Sequence, residues 1–257
     1  MLLVLDVGNT NIVVGLFRGD DLVLQWRVTS DRNRTADELR LTVRSLLAEA
    51  NVNPTELTGV AIASVVPSLH LPLEEAFKPL GSGATGFLNS ETSPIVLDVE
   101  TPHTVGADRI ANCIAAHALY KGAMLVLDFG TATTFDLAAE DGRFLGGAIA
   151  PEMGLAARAL TDRAAQLHSV ELRIPTSVIG KNTATNIQAG VVLGYLDLVD
   201  GLIARFRREV ATPLTVLATG GKGKLFFDNL DSIEYYDPVL TLKGLHLWWQ
   251  RFSTHRG

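Results

Sequence analysis

The sequence predicts an α/β protein made of two similar half-domains in tandem, and three observations carry that reading. LVLDVGNTN at residues 3 to 11 returns as LVLDFGTAT at 125 to 133, a separation of 122 residues in a chain of 257. Each copy opens a series of short apolar strands broken by glycine turns, and each series gives way to segments with helical spacing. Hydrophobic residues at 47% and charged residues at 19% describe an ordinary globular chain, long enough for one domain or two. A repeat at this distance favours two related units with an anionic ligand held between them.

Strands are expected at about 2 to 6, 11 to 17 and 21 to 28, with Gly8 and Gly19-Asp20 at the turns, as an antiparallel meander. Leu39, Val43, Leu46 and Leu47 share a face in a helix from Ala36 to Ala50, and GVAIASVV at 59 to 66 reads as a buried strand, completing a crossover. A helix over Pro67 to Lys78 and short strands near 86 to 88 and 95 to 97 come next; 79 to 105 is the least regular stretch. Ile110, Ile114 and Ala118 mark a helix over 107 to 120. The second half repeats the plan, with strands at about 124 to 128, 132 to 138 and 143 to 149 and a hairpin turn at Asp141-Gly142. Ile187, Val191, Tyr195, Leu198, Leu202 and Phe206 predict one long helix over 182 to 209. Leu214 to Ala218 is a buried strand and Leu240 to Phe252 an apolar-faced closing helix. Each half therefore reads βββαβα, the ribonuclease-H-like pattern. Two in tandem, residues 1–115 and 116–257 with a cleft between them, give the actin-like ATPase and sugar-kinase architecture.

Several function classes are disfavoured. A net charge of −6 with scattered basic residues argues against nucleic acid as a partner. No window holds the 18 or more apolar residues of a membrane span, and no basic segment leads into an apolar leader, so a cytoplasmic protein is expected. Cys113 is the only cysteine, which excludes an internal disulfide framework and CxxC metal sites. His103, His117, His168, His246 and His255 lack zinc spacing, and no GxSxG, GxxxxGK[ST] or GxGxxG motif is present. Cys113 and the Trp248-Trp249 pair read as packing.

Four segments carry candidate chemistry. At Asp6, Gly8, Asn9, Thr10 and Asn11, a glycine able to adopt φ > 0 precedes N–H and hydroxyl donors suited to phosphate, while Asp6 suits hydrated Mg²⁺. A capped hairpin turn explains this copy equally well. The second copy, Asp128, Gly130, Thr131, Thr133 and Thr134, tips the balance, since unrelated hairpins have no reason to share LVLD-x-G. In TPHTVGADRIAN at 101 to 112, Asp108 and Arg109 fall in a first helical turn, beside orphan N–H groups. There Asp108 suits a proton acceptor and Arg109 a carboxylate clamp. Ala218-Thr219-Gly220-Gly221 after a strand would let an adenosine lie against backbone, though a tight turn also explains it.

Together these residues resemble the type III pantothenate kinases. The resemblance runs through DVGNTN (6 to 11), ASVVP (63 to 67), VGADRIAN (105 to 112), DFGTATTFD (128 to 136), GGAIAP (146 to 151), IGKNTATNIQAG (179 to 190), ATGG (218 to 221) and DPVLTLKGL (237 to 245). It implies ATP-dependent phosphorylation of pantothenate, the first step of coenzyme A synthesis. By resemblance, Asp6, Val7, Gly8, Asn9, Thr10, Asn11, Ile12 and Val13 contact ATP, as does Thr131. Gly106, Ala107, Asp108 and Arg109 bind pantothenate, with Asp108 the proton acceptor. Asp128 is similar to the ligand of a monovalent cation, K⁺ or NH₄⁺, required besides Mg²⁺. Thr183 is similar to a threonine delivered across a homodimer interface. Three positions depart from the pattern: Val99 where a substrate-touching Tyr is usual, Thr101 for Asn, and Glu152 for the Gly after Pro151. The Val99 change removes a hydrogen bond of about 1 kcal/mol, and Glu152 is expected to set a negative charge against an acidic substrate. A regulatory relative without activity, or a kinase for another small hydroxy acid, are the alternatives.

Overall fold

Leu2, Leu3, Val4, Leu5 and Val7 are all buried, an apolar run without a polar face, so the strand they form has to be covered on both sides. The computed structural model, which describes residues 1–78, 83–163 and 170–254, places this strand, β1 (Leu2–Val7), in the middle of a five-stranded sheet. On one side β2 (Asn11–Arg18) and β3 (Asp21–Thr29) form the antiparallel meander; on the other, β4 (Gly59–Ser64) and β5 (Ala84–Leu88) run parallel to it. Helices α1 (Ala36–Glu49) and α2 (His70–Phe77) cover one face, packing Leu39, Val43, Leu47, Leu73 and Phe77 with Leu3, Leu5 and Val7. On the other face, α3 (Ala107–Leu119) and the C-terminal helix Leu240–Thr254 pack with Leu2, Val4, Ala61 and Ala63.

That C-terminal helix changes the domain division. The residues group into two compact units: Met1–Lys121 with Ala138–Gly146 and Val239–Gly257, and Gly122–Leu137 with Gly147–Pro238. The sequence boundary at 115/116 cuts α3, which stays whole in the first unit, and the last helix returns to that unit as well. Glycines in the first sheet make room for it. A Cβ on Gly59 would stand 2.1 Å from Trp249, and one on Gly86 2.6 Å from Phe252. The Trp pair is thus packing, with Trp248 also donating Nε1–H to the Thr92 carbonyl at 2.9 Å. Cys113 is buried as expected.

In the second unit β6 (Ala123–Phe129) is central to a sheet with β7 (Ala132–Ala138) and β8 (Phe144–Pro151). Helices α4 (Met153–Arg163), α5 (Thr183–Gln188) and α6 (Gly194–Glu209) come after them, then β9 (Leu214–Thr219), α7 (Gly223–Phe227), β10 (Tyr235–Tyr236) and the C-terminal helix, α8 (Leu240–Thr254). The order is β10-β9-β6-β7-β8, with β9 parallel to both β6 and β10. The long helix expected over 182 to 209 is continuous from Thr183 to Glu209 but passes through a π-helical turn at Ala189–Leu193. Among the described residues it alone has the length and composition to cross a bilayer. Its apolar face, Ile187, Val191, Tyr195, Val199 and Ile203, packs in the second unit's core. The expected strand at 95 to 97 is only a bridge from Leu97 to Phe144, and the short α7 and β10 carried too little periodicity to foresee. His168 and His255 lie outside the described residues.

Two glycines separate packing from propensity. A Cβ on Gly244 of α8 would stand 1.9 Å from the Ala111 carbonyl oxygen of α3, whereas one on Gly201 of α6 would meet nothing within 4 Å. Urea denaturation should therefore show Gly244→Ala destabilised by about 1–3 kcal/mol or more. Gly201→Ala should instead gain about 0.5–1 kcal/mol.

Candidate active site

β1 ends with Asp6 opposite Ala63 and Val7 opposite Ser64 in the parallel register, and the chain reverses through Gly8, Asn9 and Thr10 into β2. Central strands of open α/β sheets expose ligand-facing groups at such carboxyl ends. The Gly8 N–H donates to the Asn11 carbonyl at 3.0 Å. Contrary to expectation, Gly8 does not use a left-handed backbone; glycine suits the position because a Cβ would lie 3.1 Å from the Asn11 carbonyl oxygen. Asn9 and Thr10 are exposed, Asp6 and Asn11 half-buried. Val7 and Ile12 are core residues, so of these two only the main chain is available to a ligand.

The same strand end meets the GADR segment. The Val7 carbonyl accepts from the Val65 N–H at 3.0 Å, and Val65 Cγ1 lies 3.4 Å from where a Gly106 Cβ would stand. Gly106 is the N-cap of α3 and has no side chain to cap with, so the first N–H groups of the helix lack a side-chain acceptor from the cap. Asp108 leans back over it: its Oδ1 would lie 2.5 Å from a Gly106 Cβ and accepts from the Arg109 N–H at 2.8 Å. Burial pushes the Asp108 carboxyl above its ordinary range, outweighing the Arg109 N–H and charge, which pull it down. The Arg109 guanidinium lies over the Phe144 ring, 5.2 Å from its centroid. Val99 lies half-buried beside the same hairpin, its Cγ1 3.6 Å from where a Gly146 Cβ would stand.

In the second unit Asp128 occupies the matching place at the end of β6, opposite Thr219 of β9. Gly130 N–H donates to the Ala132 carbonyl at 3.1 Å, and Thr131 is exposed. The strand beside Asp128 leads into Gly220, at φ +85°, where a Cβ would stand 2.5 Å from Asp128 Oδ1 and 2.7 Å from the Phe129 nitrogen. Glycine is required there on both counts. Thr183 is exposed as the first residue of α5, whose N-cap Asn182 accepts from the Thr185 N–H at 2.9 Å.

Glu152 does not bring the expected unpaired charge. It is buried and caps α4, its carboxylate accepting from Gly154 N–H at 2.8 Å and Leu155 N–H at 3.0 Å while ion-paired with Lys222. Burial works against its ionisation, yet Lys222 and the two N–H groups together hold its pKa below the usual range. Three partners went unforeseen: Lys222, though it directly succeeds the Gly-Gly turn; Phe144, which carried no signal; and Arg32, whose Nη2 donates to Asn9 Oδ1 at 2.8 Å.

A family model for type III pantothenate kinases matches residues 2–205. The chain belongs to this family. The type III pantothenate kinase of Moorella thermoacetica is 46% identical over 252 residues, covering 98% of this chain and 99% of its own. Solved structures extend the likeness in fold. A Baf family protein from Campylobacter jejuni aligns with a TM-score of 0.63 at 17% identity, over 98% of this chain and 99% of that one. An inorganic polyphosphate/ATP-glucomannokinase from Arthrobacter aligns with a TM-score of 0.53 at 16% identity, over 99% and 98%. The α/β fold of two mixed sheets is thus the actin-like, sugar-kinase fold expected from the sequence.

In this kinase Glu152 gives a stability test. Because its folded pKa is lowered, its contribution is present above the unfolded value near ~4.3 and is lost as pH falls through the folded value. Glu152→Gln should cost about 1–3 kcal/mol at pH 7, the scale of a lost hydrogen bond to a charged group. In thermal melts the gap to the wild type should narrow as pH falls below the unfolded value and close below the lowered folded one.

Proposed function

We propose that the chain transfers the γ-phosphoryl group of ATP to the hydroxyl of pantothenate, giving 4'-phosphopantothenate and ADP. The observation that carries this reading is the contact path from Val7 through Val65 to Gly106, which brings the turn after Asp6 and the carboxylate of Asp108 to one end of one sheet.

The roles come from chemistry. Phosphoryl transfer runs through a largely dissociative transition state, so holding the reactants in line matters more than activating the nucleophile. The turn from Asp6 to Val13 would hold the ATP phosphates, and Thr131 is a further candidate ATP contact. Gly106, Ala107 and Arg109 would hold pantothenate, Arg109 through its carboxylate. As the hydroxyl oxygen bonds to phosphorus and the bond to ADP breaks, the hydroxyl proton passes to Asp108. A carboxyl with a raised pKa is a better proton acceptor than an ordinary one.

The residues also fit the cations. No group of three or more His, Cys, Asp or Glu able to cage a metal occurs among the described residues. Mg²⁺ is commonly held by one or two carboxylates and the substrate phosphates, and Asp6 fits that arrangement. Bound there, it would neutralise charge on the polyphosphate. Asp128, a carboxylate at a strand end beside the bare main chain of Gly220, suits a monovalent cation, K⁺ or NH₄⁺. The exposed Thr183 at the start of α5 supports a homodimer in which it reaches the partner's substrate. A cytoplasmic setting fits a biosynthetic kinase. A non-catalytic relative would have no physical need to keep Asp6, Asp108, Arg109 and Asp128 together.

Purified protein with ATP, Mg²⁺ and K⁺ should form phosphopantothenate, and no product from folded protein would sink the proposal. Asp108→Asn should lower kcat about 100-fold or more. The wild-type acid limb should lie above the ~3.9 of an ordinary aspartate, because turnover is lost as pH falls through the raised pKa. The same variant should melt higher than the wild type near neutral pH. A raised folded pKa means that ionising Asp108 costs folding free energy, so the difference should vanish in acid.

Replacing K⁺ with Na⁺ should abolish most activity. Full turnover in Na⁺ alone would contradict the role given to Asp128.

A further inference from the structure

We infer that Arg32 is a phosphate-binding residue of the nucleotide turn, supplying the cation that the Asp6-to-Val13 segment itself lacks. The inference rests on the reading of that turn as the ATP phosphate site.

The charge balance raises the need. Residues 6 to 13 contain one aspartate and no Lys or Arg, so a polyphosphate there would meet a carboxylate and neutral donors only. Mg²⁺ offsets part of that charge, and the fold brings a second source. Asn11 pairs with Thr29, and Ser30 N–H donates to the Thr10 carbonyl at 3.0 Å, so the segment leaving β3 runs directly alongside the turn. That segment is fixed at several points. Asn33 N–H donates to Asp31 Oδ1 at 2.9 Å, Thr35 caps α1, and Ser68 Oγ donates to the Arg32 carbonyl at 3.2 Å.

From this braced backbone the Arg32 side chain reaches across 23 residues of sequence to Asn9, Nη2 donating to Oδ1 at 2.8 Å. Among the described residues Arg32 makes no ion pair, although Asp31 is its neighbour in sequence and Asp37 pairs instead with Arg40. One donor of its fork is committed to Asn9, and the others are left for oxygen ligands. The contact also sets the polarity of Asn9. With Oδ1 engaged by Arg32, the Asn9 amide turns its N–H groups toward an anion, adding donors to the turn. Arg32 thus acts twice, by its own charge and by orienting a neighbour.

Arg32→Gln keeps an amide donor for Asn9 and removes the charge; Arg32→Lys keeps the charge and loses the fork. For Arg32→Gln, KM for ATP and the calorimetric Kd for Mg·ATP should both rise about tenfold to thirtyfold, the scale of one or two hydrogen bonds to a charged group. KM for pantothenate should move by less than about threefold, and Arg32→Lys should fall between Gln and the wild type. Inorganic tripolyphosphate should inhibit the wild type more strongly than Arg32→Gln, whereas adenosine should inhibit both alike.

Asp6→Asn, run in parallel, separates the two layers of inference. If Asp6→Asn weakens ATP use and Arg32→Gln leaves KM, Kd and tripolyphosphate inhibition at wild-type values, the role of Arg32 is overturned while the phosphate turn stands. If Asp6→Asn also leaves ATP kinetics unchanged, the turn itself has been misread and the role of Arg32 falls with it. Circular dichroism on all three variants confirms folded protein, as expected for an exposed side chain in the case of Arg32.

Discussion

A strand buried on both faces has few places to present chemistry, and that constraint organises this protein. β1 and β6 are central in their sheets, flanked by hydrogen-bonded neighbours and lined with apolar side chains. Along their length nothing polar can face a ligand without leaving a buried group unpaired. Only where each strand leaves its sheet do a carboxylate and backbone donors emerge together, and in both cases the residue is an aspartate with a glycine two positions later. The apolar run before Asp6 and Asp128 is what makes those two positions rigid.

The two strand ends are related but not alike, and the difference lies in the neighbouring strand. Beside Asp6, β4 continues into Val65, whose backbone binds Val7 and whose side chain packs toward Gly106. Beside Asp128, β9 continues into Gly220, whose bare main chain packs close against the carboxylate. One end is therefore built against a helix start bearing Asp108 and Arg109. The other is built against bare main chain. The two surroundings differ with no change at the aspartates, only in the residues that continue the strand beside them.

Much of this was legible in the sequence. The glycine turns, the strand runs and the helical spacing are local, so β1 to β4, α1, α3 and the long Thr183–Glu209 helix fall where the pattern puts them. What escaped was non-local. Nothing in Leu240 to Phe252 says which sheet its apolar face will cover; the answer lies in Gly59 and Gly86, which vacate the volume that Trp249 and Phe252 fill. The hazard expected of Glu152 disappears because Lys222, 70 positions later, sits beside it. Gly8 was recognised as necessary for the wrong reason, since a close carbonyl and not a left-handed backbone confines it.

The return of α8 to the first unit fixes the order in which the protein can be completed. A chain emerging from the ribosome releases residues 1–121 first, yet one face of their sheet has only α3 to cover it until residues 240–252 appear. The whole second unit is synthesised in between. The apolar surface that Leu242, Leu245, Trp248 and Trp249 will cover remains exposed throughout that interval. Since α3 carries Asp108 at its first turn and packs with α8, the helix that bears this carboxylate gains its full packing only when translation is nearly over. The window of vulnerability to aggregation thus spans the synthesis of residues 122–239, about half of the chain.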